Sequence, residues 1–438
     1  MPSLAIIKTA DPNFRQTWRQ LLSNLTLEAA LMGDRERLEK VRHIVDQVRQ
    51  HGDEAVARFT ADFDGVKLAP ADFRIASKAL QQAHKQLEAK LLAAFRKSME
   101  NVRNYQQAIK IKQPFDWRRE GVRLGVRYRP IKRIGVCIPA ASAPLVSTVI
   151  MTVVPAQVAG VEEIAVISAA KKDCDNSIHP TILGLCQELK VSEVYRVSGA
   201  QGIAALAFGT GHIKKVDKIV GPGSWWGQLA KKEVYGLVDI DSFAGPSEVL
   251  IIADDSARAE WVAADLLSQA EHAPGSAVLL TDSAELARAV VGQVDEQLDQ
   301  LDRSRQTREC VKDYCLAVVT KDMTETIALA NEFAAEHVQI QCRNSDEIAE
   351  KIINAGAIFI GSHTPVATGD YYAGPSHTLP TGGSARFFSA LNVNDFIKQT
   401  SIISYNEAAL QKAAEDIKTI AAAEGLDAHA RSVSRRTD

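Results

Sequence analysis

The 438-residue sequence contains no uninterrupted apolar run of membrane-spanning length. Its greasiest stretch, Leu145 to Gly160, is broken by Thr148, Thr152, Pro155 and Gln157, whereas a transmembrane helix needs about 20 predominantly apolar residues. That stretch is expected to be a buried helix. The opening MPSLAIIKTADPN has no basic segment leading into an apolar core, so no secretory signal is expected. The six cysteines, Cys137, Cys174, Cys186, Cys310, Cys315 and Cys342, form no CxxC pair and mostly sit inside apolar patterns, as reduced core thiols of a cytoplasmic protein would. There is no excess of one charge either: 51 Lys and Arg are scattered among 54 Asp and Glu, for a net charge of -3. Nucleic acid is not an expected partner. Neither GxGxxG nor a repeat of fixed period occurs.

What is present is an ordinary globular composition, 46% apolar and 24% charged. The length exceeds the size at which a single core keeps growing, so two or more domains are expected. Residues 1–30 read as an N-terminal arm or small helical cap. From Asp34 to Gln107 the spacing is helical, with Val41, Ile44, Val45 and Val48 on one face and Leu87, Leu91 and Leu92 repeating the pattern. Near Arg129 the texture changes. Short Val- and Ile-rich runs at 134–138, 163–167, 194–197 and 216–220 alternate with helix-length segments, and after Asp239 the alternation restarts at 249–252, 277–280, 315–319, 338–341 and 357–360. Runs of this kind, bounded by Gly, Pro and Ser, suit parallel sheets covered on both faces. The expected architecture is α/β, with two Rossmann-like parallel-sheet domains plus small helical N-terminal and C-terminal segments. Residues 31–130 and 248–385 are grouped as the first α/β domain, 131–247 as the second, and 386–438 as a C-terminal tail.

Candidate chemistry is dispersed. In 216-VDKIVGPGSWWGQLAKKEVYG a strand ends in a Gly-Pro-Gly turn and enters a helix, whose N-terminus suits an anion such as a pyrophosphate. Taken alone, the segment reads first as a structural strand-to-helix turn and only second as an anion site. In 265-DLLSQAEHAPGS, Gln269 and His272 lie three apart at the end of a helix terminated by Pro274 and Gly275, although a His in a last turn commonly does no more than complement the helix dipole. Glu336 and His337 stand between a helix and a strand, two adjacent groups of different pKa suited to separate proton transfers. Open α/β sheets place ligands at strand carboxyl ends, whereas this pair leads into a strand. The segment 362–384, rich in Gly, Pro, Ser and His, reads as a long functional loop carrying Asp370 beside Gly369. Glu424 and His429 lie in the tail.

Taken together, GPG…AK, 244-AGPSEVLIIAD, DLLSQAEH, AAEHVQI, GDY…GPSHTLPT and EGLDAH resemble the histidinol dehydrogenase family in order and spacing, over nearly all the chain from about Asp34 to His429. The resemblance implies NAD-dependent, four-electron oxidation of L-histidinol to L-histidine through L-histidinal. It implies one zinc per subunit held by Gln269, His272, Asp370 and His429, with His429 coming from the partner subunit of a homodimer. Ser247, Gln269, His272, His337, Asp370, Glu424 and His429 fall where the family contacts substrate. His337 matches the base that takes the alcohol proton, and Glu336 the group that activates water. On the cofactor side Gln201 matches, but Cys137 in 135-GVCIPAA stands where the family usually has Tyr, and Ser224 in GPGS replaces an Asn that touches NAD. Trp225 and Trp226 are candidates for substitute stacking. The alternative is a paralogue on the same zinc and NAD scaffold that oxidises another primary alcohol, such as a sulfonated diol.

Overall fold

A computed structural model describes residues 3–26, 34–112, 114–139, 144–271, 275–301 and 304–437. His272, one of the expected metal ligands, lies outside the described residues. The chain forms two parallel sheets. The larger has six strands: β1 (Ala5–Lys8), β9 (Ser247–Ala253), β10 (Gly275–Thr281), β11 (Cys315–Val319), β12 (His337–Gln341) and β13 (Ala357–Ile360), in the order β1-β11-β10-β9-β12-β13. The smaller has five: β4 (Arg133–Ile138), β5 (Glu163–Ser168), β6 (Glu193–Tyr195), β7 (Lys218–Val220) and β8 (Asp239–Ile240), in the order β6-β5-β4-β7-β8. Both sheets therefore reverse their winding once, between β9 and β12 in the first and between β4 and β7 in the second.

The Val- and Ile-rich runs are central strands because both faces are covered. On β9, Val249 and Ile251 enter one core and Leu250 and Ile252 the opposite one. On β4, Ile134 and Val136 face one core while Cys137 faces the other. The helix Ser147–Ala159, expected from the Leu145–Gly160 stretch, is buried on nearly every side. The expectation of two Rossmann-like sheets holds.

Three sequence assignments change. The arm is part of the core: β1 pairs in parallel with β11, Ala5 opposite Leu316, and Trp18 of the helix Phe14–Leu25 is fully buried. The helices between residues 35 and 109 share their apolar cores with the five-stranded sheet. The helix Ala89–Ile109 also reaches the 248–385 segment, through hydrogen bonds from Ser98, Asn101 and Gln106 to the carbonyls of Tyr371, Tyr372 and Gly374. Val41, Ile44 and Val48 share a core with Ala165 and Ile167, and Leu80, Phe95 and Val102 share one with Ile134. Finally, β2 (Phe115–Arg119), β3 (Val122–Pro130) and β14 (Ile397–Tyr405) form a separate antiparallel sheet in the order β14-β3-β2. The tail is thus a strand followed by two helices, Glu407–Ala423 and Asp427–Thr437.

Candidate active site and switch-point cavity

At the carboxyl ends of β4 and β7, where the smaller sheet reverses its winding, lies a cavity of about 930 Å³. This is where open α/β sheets receive ligands. Cys137, Gln201 and Ser224, the three sequence-derived cofactor positions, all line it. Trp226 lines it too and stacks on Phe63, with ring centroids 6.2 Å apart and planes 21° from parallel. Trp225 is not among the lining residues. Gly221 builds the adjoining turn at a φ of +105°, and a Cβ there would meet the Cys137 carbonyl at 2.4 Å. The turn is held from beneath. Lys231, buried with its partner Asp241, donates to Asp241 Oδ1 at 2.7 Å and to the Gly221 carbonyl at 2.5 Å, while Asp241 Oδ2 accepts the Gly221 N–H at 2.6 Å. Burial pushes the Cys137 thiol up to about 12, so it is a wall and not a nucleophile.

The second constellation sits at the opposite edge of the larger sheet. Ser247 is the first residue of β9 and His337 the first of β12. Gln269 occupies the last turn of the helix Ala259–Ala270, just ahead of β10. These groups gather at strand amino ends, the reverse of the expectation for an open sheet. The carboxyl edge instead opens a cavity of about 580 Å³ containing Asp254, Asp282 and Arg343 and none of the sequence-derived site residues. Asp370 is not in a long loop but in a short helix, Val366–Tyr371. Gly369 lets that helix close on Phe359, since a Cβ there would strike the ring at 2.8 Å. Phe359 in turn packs on His337 with centroids 5.8 Å apart. Burial, and then the charges of Asp370 and Glu271, raise the Tyr371 phenol.

Glu336 and His337 are both buried. His337 Nδ1 donates to the Glu248 carbonyl at 2.9 Å, which leaves Nε2 as the free ring nitrogen, 3.7 Å from Asp370 Oδ1 and 5.8 Å being the ring's spacing to Phe359. Burial works against charging His337, but Glu336 and Asp370 outweigh it and bring the imidazole up to about 9. Burial pushes the Glu336 carboxyl up to about 7, with His337 opposing. Two titratable groups are thereby tuned apart from their ordinary values at one spot, as acid–base sites require.

Two residues that the sequence reasoning missed hold the site, Glu248 at the Glu336–His337 pair and His377 at the Asp370 helix. Glu248 is buried; its N–H donates to Glu336 Oε2 at 2.9 Å, and its carboxylate accepts the N–H groups of Gly382 at 3.0 Å and Glu336 at 3.4 Å. The signal was a carboxylate heading the otherwise apolar strand sequence EVLIIA. His377, inside the quoted GPSHTLPT, lies with Nδ1 3.0 Å from the Asp370 carbonyl and Nε2 3.2 Å from Thr148 Oγ1. It ties the Asp370 helix to a helix of the smaller sheet.

The donor set fits a metal in part. Gln269 is buried at the site and could offer its amide oxygen to a cation, while its own Nε2 and His337 Nε2 have no partner and await groups of a ligand. Such groups usually have a partner. Among the described residues no three His, Cys, Asp or Glu side chains gather to hold an ion, and Gln269 supplies a donor of another type. Glu424 and His429 are exposed on the tail and are not brought to the site within one chain.

A cavity of about 930 Å³ at the switch point of one parallel sheet and a buried Glu–His pair at the edge of the other define an α/β protein with a candidate acid–base site. The comparisons carry this further. The family model described as histidinol dehydrogenase matches residues 29–437. A histidinol dehydrogenase of Rhodopirellula baltica is 44% identical over 92% of this chain and 87% of its own length, and one of Synechococcus sp. is 45% identical over 91% and 92%. The crystal structure of histidinol dehydrogenase from Elizabethkingia anophelis superposes with a TM-score of 0.91 at 32% identity, covering 100% of this chain and 98% of that one. The chain belongs to the histidinol dehydrogenase family.

Proposed function

We propose that this enzyme oxidises L-histidinol to L-histidine through L-histidinal, reducing two NAD, with one zinc per subunit. The observation that carries the reading is the buried pair Glu336–His337, with Nδ1 committed to the Glu248 carbonyl and Nε2 open beside Asp370. His337 Nε2 accepts the proton of the alcohol as hydride leaves the carbon for the first NAD. Glu336 takes a proton from water as its oxygen adds to the aldehyde, and the hydrated aldehyde gives a second hydride to a second NAD. Gln269, His272, Asp370 and the partner subunit's His429 would hold the zinc, which supplies a fixed anchor for the substrate's imidazole and amino nitrogens. A divalent cation paired with Asp370 would remove one of the two charges that favour the protonated His337 ring, the other and larger being that of Glu336. Ser247 and the partner subunit's Glu424 complete the substrate pocket. The cavity bearing Cys137, Gln201 and Ser224 takes NAD.

A homodimer is supported by apolar side chains left exposed on the antiparallel sheet and the tail: Phe115, Trp117, Ile403, Tyr405, Ile420 and Leu426. Exposed patches of this kind mark interaction surfaces, and they adjoin the segment carrying His429. All six cysteines are free thiols, which supports a cytoplasmic setting. No helix among the described residues is long and apolar enough to cross a membrane. Titration calorimetry tests the substrate and metal together: L-histidinol should bind the zinc-loaded protein and fail to bind after chelator treatment. Equal binding to both forms would contradict the proposed anchor.

A further inference from the structure

Gln228 stands on the floor of the 930 Å³ cavity, one helical turn beyond Ser224, and is only 1% exposed. Its Oε1 accepts the N–H of Ala244 at 3.1 Å. Its Nε2 has no partner at all. That nitrogen lies under the Gly-Pro-Gly turn, 3.7 Å from where a Cβ on Gly223 would stand. Because Oε1 is anchored, the amide cannot turn its nitrogen elsewhere without giving up the Ala244 bond. A buried donor left unpaired is costly, so an acceptor from outside the chain is called for.

The surroundings specify what kind of acceptor. The helix Trp225–Val234 begins with Ser224, which makes no side-chain cap, and the first main-chain bond of the helix runs from the Gln228 N–H to the Ser224 carbonyl at 3.0 Å. The amides of residues 225–227 therefore precede the helical ladder and carry the positive end of its dipole. Gly227 lines the same cavity, and nothing lies within 4 Å of a Cβ built on it, so a ligand has room to reach those amides. Lys231 adds no free charge, being committed to Asp241 and the Gly221 carbonyl.

We infer that Gln228 is a cofactor-contacting residue whose Nε2 donates to a pyrophosphate oxygen of the dinucleotide seated on this helix N-terminus. The inference rests on the proposal that this cavity binds NAD. It supplies a side-chain donor from the first turn of the helix that Ser224 begins without a side-chain cap of its own. Through Oε1 and Ala244 the contact also reaches the segment that leads into Ser247, joining cofactor and substrate sides.

The test is equilibrium binding of three probes, NADH, ADP-ribose and adenosine, followed by quenching of tryptophan fluorescence or by calorimetry. The variants are Gln228→Met, Gln228→Glu and Gly227→Trp. Gln228→Met should weaken NADH and ADP-ribose about 10-fold or more, as expected for loss of a hydrogen bond to a charged group. Gln228→Glu should weaken them further, and adenosine, which has no phosphate, should bind all three Gln228 forms alike. Gly227→Trp, which fills the cavity, should abolish NADH binding. If adenosine weakens as much as NADH, the amide only shapes the cavity and the inference is overturned. If Gly227→Trp blocks NADH while both Gln228 variants bind it normally, the inference alone fails. If Gly227→Trp leaves NADH binding intact, the cavity is not the cofactor site and both proposals fall.

Discussion

Replacing Glu248 by Gln removes a carboxyl buried between β9 and β12 while keeping its size and its acceptor for the Gly382 N–H. The main-chain bonds from residue 248 to Glu336 and His337 remain. Burial, then the neighbouring Glu336, push the Glu248 carboxyl up from an ordinary 4.5 to about 8. The native state therefore keeps a proton that the unfolded chain releases once pH passes about 4.5, and wild-type stability must fall as pH rises through the window up to about 8. The slope for one such proton is about 1.4 kcal/mol per pH unit, so the loss across the whole window is at most about 5 kcal/mol. Glu248→Gln has no such proton. Thermal unfolding measured at pH 5, 6, 7 and 8 should show wild type losing stability faster than the variant over this range. At roughly 1–3 °C per kcal/mol for a chain of this size, the gap between the two melting temperatures should shift by several degrees in favour of the variant. Parallel curves over the whole range would refute the claim that this carboxyl is held protonated.

Glu336→Gln should slow oxidation of L-histidinal more than that of L-histidinol, by about 10²–10⁴-fold for loss of a positioned base; single-turnover NADH formation from each substrate measures it, and equal losses would argue against the division of labour. Gly356→Ala should destabilise by about 1–3 kcal/mol, because its Cβ would stand 2.5 Å from the Glu336 carbonyl and 3.2 Å from Pro380 Cδ. Gly292→Ala, in the helix Ala284–Leu298 with nothing within 4 Å of its Cβ, should stabilise by about 0.5–1 kcal/mol; melting curves of the two check both signs. Mixing His272→Asn with His429→Ala protein should restore about a quarter of wild-type activity after subunit exchange, since half of a random mixture is hybrid and each hybrid holds one intact site. No recovery, with exchange confirmed, would place His429 in its own subunit's site.

The central strands were legible because a parallel strand buried on both faces writes itself as an unbroken apolar run, as VLIIA and AVLL do. Edge elements write nothing comparable. β1 is four residues long, three of them exposed, and pairs with residues more than 300 positions away. The hairpin of β2 and β3 had a usable sign in the alternation of VRLGVRYR and in Glu120-Gly121, both at positive φ, as a two-residue hairpin turn demands. The short helix carrying Asp370 exists because Gly369 lets it press on Phe359, a tertiary fact that no local propensity encodes. The candidate site was legible only as motifs in order. That its groups lie at strand amino ends, and that Glu248 and His377 hold them there, follows from register and packing between segments far apart in the chain.

The central claim is a four-electron oxidation in one site. Purified, zinc-loaded protein given limiting L-histidinol and excess NAD should yield two NADH for every L-histidine formed, with no free aldehyde trapped by added semicarbazide. One NADH per substrate with aldehyde accumulating, or no NADH from L-histidinol while another primary alcohol such as a sulfonated diol is oxidised, would contradict it.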